Sequence, residues 1–224
     1  LSLPFSIGNI HIDPSVRMLA TWASEGAKEN GSYSSSESRV GGGGSVRASM
    51  DWMRVYGVHS AGMGLNRLRH ILTPYVEASA LEVNTGSEQF IQLGGRDPWP
   101  RQGHGQRVTT DQVDGIDDNT MTRIGLRQRF QTKRRDSKAA PWENVDWVDL
   151  DMAFVGRSSD SVRVLEDDSF LDIDFVWRLL KWWRIYSEDN RISLGDGIDV
   201  YNIGTGMEFG PTTGIGVSYH YISD

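Results

Sequence analysis

"MTRIGLRQRFQTK", Met121 to Lys133, lies in a chain whose formal net charge is −7. Its odd positions are Met121, Arg123, Gly125, Arg127, Arg129, Gln131 and Lys133, and its even positions are Thr122, Ile124, Leu126, Gln128, Phe130 and Thr132. Charge and grease separate by parity. Side chains alternate faces along a strand, whereas a helix would scatter the same arginines around its circumference. The stretch is therefore predicted to be a β-strand whose cations line one wall and whose other face is mainly apolar.

The same alternation recurs through the chain. Val148, Leu150, Met152 and Phe154 share a face against Asp149, Asp151 and Ala153, and Ile215, Val217, Tyr219 and Tyr221 share one against Gly216, Ser218 and His220. Val46, Ala48, Met50, Trp52, Tyr56 and Val58 do so with Arg54 as the exception, opposite Ser45, Arg47, Ser49, Asp51 and His59. Leu171, Ile173, Phe175 and Trp177 oppose Asp172, Asp174 and Arg178. With weaker patterns elsewhere the chain offers about ten strands, many near the ~9 to 11 residues that cross a bilayer as a tilted strand. "FVWRLLKWWRIYSE", Phe175 to Glu188, also fits helical spacing, but both flanks alternate, so it is expected to be strand, short turn near Leu179 to Trp182, and strand.

Composition bounds the function. The chain has 224 residues, 38% of them hydrophobic, and no run approaching the ~18 apolar residues of a membrane-spanning helix. No cysteine is present, which removes disulfides and thiolate metal sites. It begins at Leu1 without an initiator Met or signal segment, as expected of a processed protein or a piece of a longer one. The negative balance argues against a nucleic-acid partner. The stretches 26–45 and 94–119 are polar and rich in Gly, Ser and Asp, so long loops are expected near 25–45 and 94–119, within one segment over 1–224 and no second domain. "GGGGS", Gly41 to Ser45, has the composition of either a native loop or an engineered linker.

Enzyme signals are poor. Asp149 with Asp151 and Asp172 with Asp174 share strand faces, a spacing open to acid/base carboxylates but expected of a solvated wall. His11, His59, His70, His104 and His220 lack metal-ligand spacing, and no phosphate loop is present. No catalytic residue, metal site or cofactor is expected, and the protein is read as a non-enzyme.

Two motifs and the chain's closing strand carry a resemblance. "NRLRHILTP", Asn66 to Pro74, resembles the Arg-His-x-x-x-Pro strand start of the LptD family, the lipopolysaccharide-assembly outer-membrane barrels also called organic solvent tolerance proteins; Arg69, His70 and Pro74 occupy the motif positions. "DQVDGIDDNTMTRIGLRQRFQTKRR", Asp111 to Arg135, is similar to the family's Asp-rich segment followed by Gly-Leu-Arg-x-Arg-Leu-Gln-Thr-Lys, with Phe130 in place of the Leu. "GIGVSYHYIS", Gly214 to Ser223, is similar to its closing strand. The resemblance implies an all-β antiparallel transmembrane barrel, or a multi-strand segment of a larger one, in the outer membrane of a Gram-negative-type bacterium. It further implies a part in inserting lipopolysaccharide or a related glycolipid into the outer leaflet, with a plug lipoprotein and periplasmic lipid-bridge proteins as partners. Some members carry a jellyroll and disulfides that are not evident in this chain.

On this reading Arg123, Arg127, Arg129 and Lys133 would face a wet lumen, where they meet anionic lipid headgroups or balance the lumen-facing Asp149, Asp151, Asp172 and Asp174. A general porin is the nearest alternative, and a soluble β-sandwich or lipocalin-like binding module is the second.

Overall fold

A computed structural model describes residues 1–24, 26–27, 32–34, 36–85, 118–135, 142–159, 169–193, 197–209 and 213–222. Thirteen strands follow in order among them: β1 (Phe5–Ile7), β2 (Ile10–Ala23), β3 (Gly26–Ala27), β4 (Tyr33–Ser34), β5 (Glu37–Met50), β6 (Trp52–Ser60), β7 (Leu65–Val83), β8 (Asn119–Arg134), β9 (Glu143–Ser159), β10 (Ser169–Trp177), β11 (Trp183–Ser193), β12 (Gly197–Glu208) and β13 (Gly214–Ile222). No helix occurs among the described residues, so the all-β expectation holds. The segment with competing helical spacing resolves as β10, a bend over Leu180 to Trp182, and β11.

Eleven strands form one antiparallel sheet in the order β1-β2-β5-β7-β8-β9-β10-β11-β12-β13, with β6 also paired to β7; β3 and β4 make a separate two-stranded sheet. Apart from that small hairpin and β5 and β6, which both pair with β7, consecutive strands are neighbours. No pairing among the described residues joins β1 to β13, so the sheet has two ends rather than a closed circuit. Contacts divide the chain into two compact units, Leu1–Ala48 with Val76–Arg123 and Val155–Asp168, and Ser49–Tyr75 with Ile124–Phe154 and Ser169–Asp224. The chain of β5, β7, β8 and β9 passes through both.

The loop expected near 25–45 is shorter than composition indicates. Strand β5 begins at Glu37, and the Gly41 to Ser45 run lies inside it. A Cβ on Gly41 would come 2.7 Å from Val83 Cγ1, and one on Gly43 would come 2.5 Å from Ala80 O. Glycine is used there for close approach of β5 to β7, so the run is a packed strand and not a spacer. The loop expected over 94–119 lies outside the described residues up to 117; at its end Asp118 Oδ1 accepts a 2.7 Å hydrogen bond from Val83 N.

Within the first unit, β7 shows the pattern most clearly. Glu77, Ser79 and Leu81 are buried, while Val76, Ala78 and Ala80 are exposed. Arg47 reaches Glu77 at 3.8 Å, and the hydroxyls of Ser15 and Ser45 meet at 2.7 Å. The polar side of the sheet is therefore the enclosed one. Leu81 with Leu19 and Val83 forms a small apolar cluster beside it.

Within the second unit, two irregularities are filled by side chains. Arg67 takes φ 61°, and buried Thr132 bridges that bulge, its Oγ1 accepting from Asn66 N at 2.9 Å and donating to Arg67 O at 3.0 Å. Asn190 spans the slips in β10 and β11: its Nδ2 donates to Ile173 O at 2.7 Å and its Oδ1 accepts from Asn202 N at 2.8 Å. A bulge strands backbone groups without ladder partners, and these short polar side chains supply them.

Candidate functional site

Gly125 breaks the row of cations in β8, and its lack of a side chain organises the wall. A Cβ there would collide with the ring of Tyr75 from β7. Because the position is empty, the Tyr75 ring lies across β8 and its hydroxyl donates a 2.9 Å hydrogen bond to Asp151 Oδ1 on β9. One strand is bridged by a ring. Two residues along, Arg127 makes a two-point ion pair with Asp149, Nε to Oδ1 at 2.9 Å and Nη2 to Oδ2 at 2.5 Å. Parallel N–H donors matched to both carboxylate oxygens fix orientation as well as charge.

The pattern extends toward the end of the strand. The Arg69 guanidinium donates to Gln131 Oε1 through Nε at 2.8 Å and also through Nη2, and Gln131 Nε2 donates to Asp146 Oδ1 at 2.6 Å. Arg129 is half-buried, with no hydrogen-bond partner for its Nε among the described residues. Arg123 is also half-buried and does make polar contact. Near the end of β8 Lys133 is exposed, and its neighbour Thr132 is buried.

The second acidic pair sits apart from this wall. Asp172 is buried and lies opposite buried Arg191 in the β10–β11 register, while Asp174 is half-buried. Opposite charges thus face each other in the ladder. Arg191 also covers the Phe170 ring, its Cζ 5.1 Å from the centroid. Of the family-motif positions, Arg69 belongs to the polar wall, whereas His70 is on the alternate face, stacked on Phe130 at 4.2 Å and 6°. Pro74 is half-buried in β7.

At the strand ends Arg134 performs a role that its sequence neighbours hid. Its guanidinium donates to Gly64 O and Met63 O in the β6–β7 turn and to Arg178 O and Leu179 O after β10, at 3.0 to 3.4 Å. Turn carbonyls that lack ladder partners are collected by one planar donor. Neither this clamp nor the Tyr75–Gly125 pair is signalled by charge patterning; the glycine interrupting a cationic strand is the one available cue.

No group of three or more His, Asp or Glu side chains able to hold a metal occurs among the described residues. Nor is any helix there long and apolar enough to cross a membrane. No protein-family model and no curated protein matches the chain.

Proposed function

We propose that the chain forms part of an outer-membrane β-barrel that takes part in inserting lipopolysaccharide or a related glycolipid into the outer leaflet. One observation carries the membrane reading: the distribution of polar and apolar side chains is inverted. Among the described residues ten polar or charged side chains are buried and eight hydrophobic ones are, while Val40, Val46, Val76, Ile124, Phe154 and Ile203 lie exposed. A soluble sandwich buries one apolar face of each sheet and wets the polar one. In a barrel within lipid the apolar face points out and the polar face lines the interior.

The glycolipid reading rests on the cationic wall and on the resemblance of 66–74 and 111–135 to the assembly family. Lipopolysaccharide presents phosphates, and half-buried guanidinium groups bind phosphate strongly where water is scarce. Arg127 is committed to Asp149, so Arg129, whose Nε has no hydrogen-bond partner among the described residues, is the group offered to a passing anion. The protein acts by guiding lipid and not by covalent chemistry. Its partners are a plug lipoprotein and the periplasmic bridge that delivers the lipid.

The test uses the cysteine-free background. Photocrosslinking of lipopolysaccharide in outer-membrane vesicles should fall several-fold on Arg129→Glu and little on Lys133→Glu, which is exposed near the end of β8. Equal crosslinking in both variants would remove the glycolipid role while leaving the barrel reading to the labelling test described in the Discussion.

A further inference from the structure

Among the described residues strand β6 is hydrogen-bonded along one side only. It pairs with β7, and among the described residues no strand lies on its other edge. Every residue from Trp52 to His59 is exposed. Apolar groups stand on both faces, Trp52 and Tyr56 on one, Met53 and Val55 on the other, with Met53 at 64% and Val55 at 61% exposure. Such an edge suits neither solvent. Lipid leaves its N–H and C=O groups unsatisfied, and water solvates them while leaving both apolar faces wet.

An extended peptide resolves both problems at once, because its backbone completes the ladder and its alternating side chains cover the two faces. The geometry sets the length. Register slips between Tyr56 and His59, and His59 Nδ1 closes on Gly57 O at 3.0 Å, so the flat edge runs from Trp52 to Tyr56. Charge sets the composition. From Trp52 to Val76 the chain contains no acidic residue, while Arg54, Arg67 and Arg69 are cationic. Arg54 is exposed on β6 itself, its Cζ 5.3 Å from the centre of the Tyr56 ring. Two copies of β6 paired with each other would bring their Arg54 side chains together, and the nearest acid, Asp51, already accepts from Thr73 Oγ1 at 2.5 Å, which disfavours a second copy as occupant.

We propose that the free edge of β6 between Trp52 and Tyr56 is a strand-addition site for an extended acidic segment of a partner protein. The site goes beyond the glycolipid reading and stands without it, since it depends only on the edge, its two apolar faces and its charge.

The experiment is fluorescence anisotropy of the full chain in detergent with a short labelled peptide alternating Glu and Val. Its controls are the same peptide with Lys replacing Glu and the same peptide with alternate amides N-methylated. The acidic peptide should bind at least about tenfold tighter than either control, and Arg54→Glu should invert the preference between the Glu and Lys peptides. Comparable binding of acidic and N-methylated peptides would overturn the proposal, because the backbone edge would then be irrelevant. Because the controls alter only the peptide, this outcome is readable even if Arg54→Glu misfolds. A single cysteine at position 55 gives a second readout: a mixed disulfide with a cysteine-bearing peptide supports the site, and preferential protein–protein disulfides assign the edge to a second copy instead. Peptide binding by a chain that fails to insert into membrane vesicles would sink the barrel reading and leave this one intact.

Discussion

Gly125 shows how one missing side chain can govern three strands. The Tyr75 ring occupies the space a Cβ would need, and its hydroxyl reaches Asp151 beyond β8. Gly125→Ala should therefore destabilise by about 1–3 kcal/mol through overpacking, whereas Gly57→Ala, where a Cβ would meet nothing within 4 Å, should cost little. Urea midpoints in detergent measure the difference, and equal midpoints would mean that the ring has an easy alternative position. Tyr75→Phe keeps the ring and removes only the hydrogen bond to a carboxylate, a loss of about 1.5–3 kcal/mol if the site stays dry. Arg127 with Asp149 calls for a double-mutant cycle: the Arg127 side chain is 32% exposed, so a coupling of about 0.5–1.5 kcal/mol is expected. At this scale the sequence disclosed the participants without their partners. Parity puts Arg127, Asp149 and Asp151 on wall faces, but the β8–β9 register that joins them depends on pairing across the connection after Arg135.

Strand β7 carries the clearest test of which face meets which medium. Cysteines at 77, 79 and 81 occupy the buried face and those at 76, 78 and 80 the exposed one. In intact outer-membrane vesicles a small water-soluble thiol reagent should label the first set through the interior, while a lipid-soluble reagent should label the second. Equal labelling of both sets by the aqueous reagent would end the spanning-strand reading. At the strand ends, Arg134→Gln removes a charged donor from four turn carbonyls, and hydrogen exchange should quicken in the β6–β7 turn and around Leu179, while mid-strand amides of β7 stay protected. Alternation made β8 and β9 legible from sequence because each has one face of a single character. The glycine run of β5 was illegible for the same reason: residues without side chains have no period, so composition pointed to a loop where backbone proximity to β7 makes a strand. The positive φ of Arg67 was hidden as well, since arginine carries no local signal for it.

Among the described residues the sheet runs from β1 to β13, with no pairing between those two strands. The Ile215, Val217, Tyr219 and Tyr221 face of β13 is exposed, and its outer backbone edge faces no strand among the described residues. On the proposed barrel reading, unpaired edges would cost several kcal/mol per group in lipid, and these strands alone would make no stable pore. Residues 1–224 reconstituted alone should give no steady single-channel conductance in a planar bilayer, and a stable, reproducible unitary step would show that these strands close by themselves. Trp147 on β9 and Trp177 on β10 add a consequence of a different kind, since their rings meet edge-on at 6.1 Å and 82°. Two indoles at that distance and angle share their electronic excitation, and the pair should give a circular-dichroism couplet that neither ring gives alone. Trp177→Phe would abolish it, so the amplitude of that couplet is an intrinsic optical clock for when β10 docks on β9 during folding.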